Sequence, residues 1–187
     1  MQEEIDFYFN ESKGAMEDTI AHLQKELSKV RTGKANANIF DSVMVDYYGN
    51  PTPIRQVANI GTLDARTINI QPWEKKMIDP IERSIFEANL GLTPQNDGEN
   101  IRITIPMLTE ERRKNLVKQI KSLTEEAKVG IRNSRRELMD LLKKAVKDGY
   151  PEDMGKKAEA KAQQLTDEMG KKAEELADVK EKDIMTV

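Results

Sequence analysis

The sequence predicts an α+β chain of two domains: a long antiparallel three-helix bundle, residues 1–30 plus 107–187, with a small α/β sandwich domain, residues 31–106, inserted into it. Three observations predict this. Apolar residues recur at helical spacing over three long stretches, one before the centre of the chain and two after it. Every strand-like run, and every proline except Pro151, falls between the first and second of those stretches. Composition agrees: 37% hydrophobic content over 187 residues fills one sizeable core or two small ones. With 34% charged residues and only 5% aromatics, the chain suits long helices with solvated faces better than a compact enzyme around a deep pocket.

Over residues 3–30, Ile5, Phe9, Met16, Ile20, Leu23, Leu27 and Val30 form one apolar stripe, with Lys and Glu on the other faces. Arg31-Thr32-Gly33 ends this helix. Glycine just past the last periodic residue is a stop signal, and Lys29 and Arg31 suit the negative end of the dipole. The texture then changes. Val43-Met44-Val45 runs into Tyr47-Tyr48, and a turn follows at Gly49-Asn50-Pro51. Strands are expected over residues 54–60, Thr67-Ile68-Asn69-Ile70 and Ile101-Arg102-Ile103-Thr104-Ile105, the last two with the apolar/polar alternation of half-buried strands. Between them Asp79 reads as the N-cap and Pro80 as the first residue of a short helix that carries Ile81, Ile85 and Phe86 and stops before Gly91.

Pro106 closes the inserted domain. Thr109 caps the next helix, Glu110 and Glu111 occupy its first turn, and Leu116, Ile120, Leu123, Ala127, Ile131, Ser134, Leu138, Leu141 or Leu142, and Ala145 form its seam. Asp148-Gly149-Tyr150-Pro151 breaks it. The third helix starts with Glu152 and Asp153 and shows Met154, Ala158, Ala162, Leu165, Met169, Ala173, Leu176 and Val179 as its stripe. The inserted domain is therefore tethered by two joints, Arg31, Thr32 and Gly33 on one side and Ile105, Pro106 and Met107 on the other. A double tether with Gly in one arm and Pro in the other predicts hinge motion in an elongated, bent body.

The net charge of −3 conceals a dipole along the chain. Residues 107–148 carry twelve Lys and Arg against seven acidic residues, a balance of +5, whereas residues 1–30 come to −4 and residues 149–187 to −3. Between residues 112 and 136, nine Lys or Arg face only Glu125 and Glu126. At ~100° per residue, Lys114, Lys121, Lys128, Arg132 and Arg135 fall together beside the seam, with Lys118, Arg136 and Lys143 continuing outward. At ~1.5 Å per residue the rod that carries them is ~60 Å long. Part of this charge is expected to pair with the acidic helices on either side. The excess, and the guanidinium forks of Arg132, Arg135 and Arg136, point to phosphate, and so to RNA or another polyanion. With no aromatic residue on that face, recognition is expected of backbone and shape.

Residues 1–10 lack the basic cluster and apolar run of a signal peptide, and no stretch approaches the ~20 apolar residues of a membrane span, which predicts a soluble cytoplasmic protein. Without Cys there is no disulfide and no thiolate metal site. There is no Gly-rich phosphate loop, the adjacent acidic pairs diverge on a helix, and His22, the one histidine, reads as a surface residue. No enzymatic constellation, metal or cofactor is expected. Tyr47, Tyr48 and Trp73 could serve as stacking platforms for bases but read rather as core aromatics of short strands, and Met16, Met154 and Met169 read as packing. A protein of another class, a coiled-coil adaptor or chaperone-like clamp on a protein partner, fits the same helices.

Five stretches, in order along nearly the whole chain, resemble the bacterial ribosome recycling factor family: Arg31-Thr32-Gly33-Lys34-Ala35, Val45-Asp46-Tyr47-Tyr48-Gly49 with Pro51-Thr52-Pro53, Leu90-Gly91-Leu92, Ile101-Arg102 leading into Leu108-Thr109-Glu110-Glu111-Arg112-Arg113, and Arg132-Asn133-Ser134-Arg135-Arg136. Ser134 stands where the family often has an aliphatic residue. The resemblance implies a monomer with the outline of transfer RNA. It implies binding to the post-termination ribosome through large-subunit rRNA, and subunit splitting with elongation factor G and GTP, which releases mRNA and tRNA. It also implies rRNA contact by Arg132, Arg135 and Arg136 with basic neighbours of the same helix.

Overall fold

The computed structural model describes residues 1–186; Val187, the end of the C-terminal tail, lies outside the described residues. Four helices and six strands follow in the order α1 (Gln2–Lys29), β1 (Met44–Tyr47), β2 (Asn50–Pro53), β3 (Ala58–Thr62), β4 (Thr67–Pro72), α2 (Ile78–Glu87), β5 (Pro94–Asn96), β6 (Ile101–Thr104), α3 (Glu110–Lys147) and α4 (Glu152–Met185). The fold class is α+β, as expected. The chain divides into two compact units, Met1–Thr32 with Thr109–Val187, and Gly33–Leu108. The domain boundaries expected from the sequence fall just N-terminal of these joints.

In the first unit α1, α3 and α4 pack on one another. α1 and α3 run antiparallel: Ser12 Oγ donates to the Ser134 carbonyl while Tyr150, just past α3, reaches back to Gln2. α3 and α4 are antiparallel too, since Lys128 meets Glu174 whereas Arg135 meets Gln163. Thr109 caps α3 as its type predicts, its Oγ1 accepting the Arg112 N–H at 3.1 Å. The seam is thin. Leu116, Ile120, Ala127, Ile131, Leu138, Leu142 and Ala145 of α3 are buried, but Leu123 is only half-buried, and Thr124 takes the inner place by donating its hydroxyl to the Ile120 carbonyl at 2.7 Å. Leu142, not Leu141, points inward. On α4 the buried residues are Gly155, Ala158, Ala162, Thr166, Met169, Ala173, Ala177 and Ile184; Met154 and Val179, expected on the stripe, are exposed. Close approach explains the difference, for a Cβ on Gly155 would lie 2.5 Å from Val146 Cγ2. Small residues take most of the inner positions, with Met169 and Ile184 the larger exceptions, and Met154 lies one residue round from Gly155 on the outside.

The second unit is a four-stranded antiparallel sheet in the order β3-β4-β6-β5, a separate β1-β2 hairpin, and α2 packed on β1 and β5. The register sets Ile68 opposite Ile103 and Ile70 opposite Ile101, which puts four fully buried isoleucines on one face with Ile54, Ile81, Ile85 and Phe40. Burying each such side chain stabilises by about 1.5–3 kcal/mol. Four expectations shift here. The hairpin turns at Tyr48-Gly49, both at positive φ (50° and 85°), with Asp46 Oδ1 accepting the Gly49 N–H at 2.8 Å, so Asn50 and Pro51 already belong to β2. The strand expected over residues 54–60 is interrupted by a 3-10 turn, Ile54–Gln56, which lets Ile54 and Val57 both reach the core. On α2 the buried face is Ile78, Ile81 and Ile85; Phe86, one step of about 100° round from Ile85, is exposed. Asp79 and Pro80 lie in the first turn of α2 and do not cap it: Met77 stands at the N-cap with no side-chain bond.

Candidate nucleic-acid interface

All six basic residues singled out for RNA lie on α3, and Lys121, Lys128 and Arg135 face α4 along one edge. The edge is not uniform. At its N-terminal end Lys114 is exposed and lies 3.7 Å from Glu110. In the middle, an open groove between α3 and α4 is lined by Lys121, Glu125, Lys128, Glu174, Asp178 and Glu181. Two ammonium groups there meet four carboxylates, so this part of the edge is locally acidic. Lys128 Nζ donates to Glu174 Oε1, and its side chain is only 29% exposed. That bond holds the Glu174 carboxyl below the usual carboxylate range.

Further along, Arg132 and Arg135 follow the groove on the same edge. Arg132 Nη2 donates to Glu125 Oε1 at 2.6 Å, two turns back on the same helix. Arg135 Nη1 donates to the neutral Gln163 Oε1 at 2.8 Å, and Gln163 in turn donates to Asp167. Arg136 is exposed and makes no ion pair among the described residues. The pairing with acidic neighbours expected from the sequence is thus realised in the middle of the edge. Uncompensated positive charge gathers at Arg135 and Arg136. Planar forks held on a rigid helix can take phosphate oxygens two at a time. Sequence pattern alone missed Glu125 and Glu174 as members of this surface. Glu125 was legible in principle, since seven residues bring it back to the face of Arg132, whereas Glu174 lies on another helix.

Of the two tethers, Arg31 and Thr32 fall in the first unit, and Gly33, Ile105, Pro106 and Met107 in the second. Gly33 takes φ +74°, and a Cβ there would stand 2.9 Å from Leu108 Cγ, so the position excludes other residues on two counts. Just inside the joints the chain is fixed: the Ala35 N–H donates to the Ala65 carbonyl and the Ile105 N–H to the Arg66 carbonyl, each at 2.7 Å. Both tethers are therefore pinned to adjacent carbonyls of the β3–β4 loop. Asp64 Oδ1 accepts the Arg66 N–H at 2.9 Å, and this bond is the chief reason its carboxyl is held below the usual range.

The aromatics differ from expectation. Tyr48 and Trp73 are 65% and 67% exposed, and only Tyr47 is partly covered. Both tyrosines donate to Glu74, Tyr47 to Oε1 at 2.9 Å and Tyr48 to Oε2 at 2.8 Å, which lowers the Glu74 pKa and raises that of Tyr47. Met16 and Met169 are buried as expected, and His22 is exposed. No group of acidic or histidine side chains among the described residues could hold a metal ion, and no described helix is long and apolar enough to cross a membrane.

A family model described as ribosome recycling factor matches residues 23–185, across both units. The chain is 55% identical over 119 residues to the ribosome-recycling factor of Christiangramia forsetii, a stretch that covers 64% of this chain and 65% of the relative. To that of Geobacter sulfurreducens it is 54% identical over 112 residues, 60% of each. The matched stretch thus spans just under two thirds of the length of these relatives. In three dimensions the chain is similar to a solution structure of the ribosome recycling factor, with TM-score 0.80 and 36% identity over 98% of each chain. It is also similar, at TM-score 0.65 and 40% identity over 97% of this chain and 98% of the other, to a chain from models for the T. thermophilus ribosome recycling factor and the E. coli elongation factor G bound to the E. coli post-termination complex.

Proposed function

The chain belongs to the ribosome recycling factor family, and from that premise we propose that it binds the post-termination ribosome through large-subunit rRNA and, with elongation factor G and GTP, promotes subunit dissociation and release of mRNA and tRNA. It acts as a cytoplasmic monomer, without a cofactor, and catalyses no reaction itself. The observation that carries this reading is a family match that runs through both units. A coiled-coil adaptor would need only the helices.

In the proposed mechanism the α3 edge docks on rRNA: Arg132, Arg135 and Arg136 take backbone phosphates, and Lys114, Lys121 and Lys128 extend the contact. The small domain then swings about its two tethers when elongation factor G acts on it. Arg31, Thr32 and Gly33 form one arm of the hinge and Pro106 and Met107 the other, with Ile105 as the fixed end of that second arm. The pinning of Ala35 and Ile105 to the β3–β4 loop supports a narrow pivot, because rotation is then confined to the few residues beyond those bonds.

Splitting of purified post-termination ribosomes, followed by light scattering with elongation factor G and GTP, tests the reading. The chain is expected to be required for splitting, and Gly33→Pro, which forbids φ +74°, is expected to slow splitting while leaving ribosome binding intact. Splitting at the background rate with the chain present would refute the function. An unimpaired Gly33→Pro would refute the hinge alone.

A further inference from the structure

We propose that Glu125 and Glu174 are specificity-determining residues of the RNA-binding edge: internal anions that occupy Arg132 and Lys128 and are displaced only by RNA presenting several phosphates in matching positions. The inference rests on the docking role of α3 proposed above.

Of the six basic residues, two are held by carboxylates at hydrogen-bonding distance, Lys128 by Glu174 across the helix interface and Arg132 by Glu125 along α3. Asp178 and Glu181 line the same groove beside Lys121. A phosphate that recruits Lys128 must displace the Glu174 carboxylate or share the ammonium with it against a like charge, and the same holds for Arg132 and Glu125. A flexible or sparsely contacting RNA gains one contact for each one broken. A folded RNA surface that also engages Arg135 and Arg136, which form no ion pair among the described residues, gains more than it displaces. Specificity is a difference of affinities, and built-in repulsion against the weaker ligand widens it. The Glu174 carboxyl, held charged to lower pH than an ordinary glutamate, keeps this barrier in place throughout the neutral range.

The test compares wild type with Glu125→Gln, Glu174→Gln and the double variant, which keep side-chain shape and remove charge. Glu175→Gln serves as control, since Glu175 neighbours Glu174 but lies 4.0 Å from Lys171 and outside the groove. Binding to a uridylate homopolymer is measured by fluorescence anisotropy, and binding to purified large ribosomal subunits by co-sedimentation, both across a salt series. Each groove substitution is expected to tighten homopolymer binding about two- to fivefold, the range an exposed ion pair can supply. Each should also steepen the fall of log K with log salt by roughly 0.7 per newly engaged phosphate on a single strand. Large-subunit affinity is expected to change less, so the ratio between the two ligands narrows, and Glu175→Gln is expected to leave it unmoved. Homopolymer binding that is unchanged or weaker in the double variant would overturn the proposal. So would an equal gain in Glu175→Gln, which would reduce the effect to net charge. A wild type that binds homopolymer but ignores large subunits would overturn the ribosomal reading while leaving the carboxylate effect measurable.

Discussion

The two units solve the same problem of stability in opposite ways. The small domain buries a dense set of isoleucines, Ile54, Ile68, Ile70, Ile81, Ile85, Ile101 and Ile103, in a core that strands and helix close from several sides. The bundle spreads a thin seam over helices of 28, 38 and 34 residues, and fills much of α4's share with Ala158, Ala162, Ala173 and Ala177. Buried hydroxyls interrupt that seam at Ser12, Thr124 and Thr166. The first design concentrates stability in few residues. The second gives up core volume for length and surface, which a charged docking edge requires.

The contrast breaks most sharply at Ile70. Ile70→Ala removes a fully buried side chain opposite Ile101 and is expected to destabilise the small domain by about 2–5 kcal/mol. Hydrogen exchange should then accelerate in β4 and β6 while α3 and α4 keep their protection. Uniform acceleration would mean that the units do not unfold separately. The converse substitution is Ala162→Leu, which forces volume into a seam built for small residues and is expected to cost about 1–3 kcal/mol through strain. It should lower the thermal midpoint of the helical circular dichroism signal. A neutral result would show the α3–α4 contact to be looser than its small residues require. Thr109→Ala removes the bond to the Arg112 N–H and is expected to cost about 1 kcal/mol, seen as faster exchange confined to the first turn of α3.

The smallest effect is acid dependence, to which the small domain contributes three carboxyls. Asp64 and Asp97 are held below the ordinary aspartate value first by backbone N–H groups, and Glu74 below the ordinary glutamate value first by Tyr48. Because each folded-state pKa is depressed, the stabilisation is complete above the unfolded values near 4 and is lost as pH falls through the folded ones. Asp64→Asn, Asp97→Asn and Glu74→Gln should each lower stability slightly at neutral pH, where the charged acceptor is lost, and converge on wild type in acid, which flattens the acid limb of a stability-against-pH curve. A curve superimposable on wild type would remove these bonds from the account.

Much of this contrast is legible in the sequence, for reasons that differ by region. α1 and α3 announce themselves because their stripes are long and their ends are marked, by the Thr109 cap most clearly. β4 and β6 are legible because isoleucine alternates with polar residues. β5 is not: Pro94-Gln95-Asn96 is a three-residue edge strand with no apolar pattern, defined only by its pairing with β6. The hairpin turn is misplaced by sequence because Tyr48 takes a positive φ that favours glycine or asparagine. Along α4 hydrophobicity misleads, since most buried positions are held by Gly, Ala and Thr, while Met154 and Val179 lie off the buried face. The candidate site divides in the same way. Its cations can be read from one helix by counting residues, but the Glu174 that holds Lys128 is 46 residues away and becomes visible only when α3 and α4 are packed.

The central claim, that the α3 edge is the surface on which this chain meets rRNA, is tested most directly by co-sedimentation with purified large ribosomal subunits across a salt series, for wild type and for Arg132→Ala with Arg135→Ala. The account predicts steeply salt-dependent binding by wild type, and for the double variant a loss of about tenfold or more with a shallower salt slope, while circular dichroism remains that of a folded chain. Salt-independent binding, or binding indifferent to both arginines, would contradict it and return the edge to a solvated helix face.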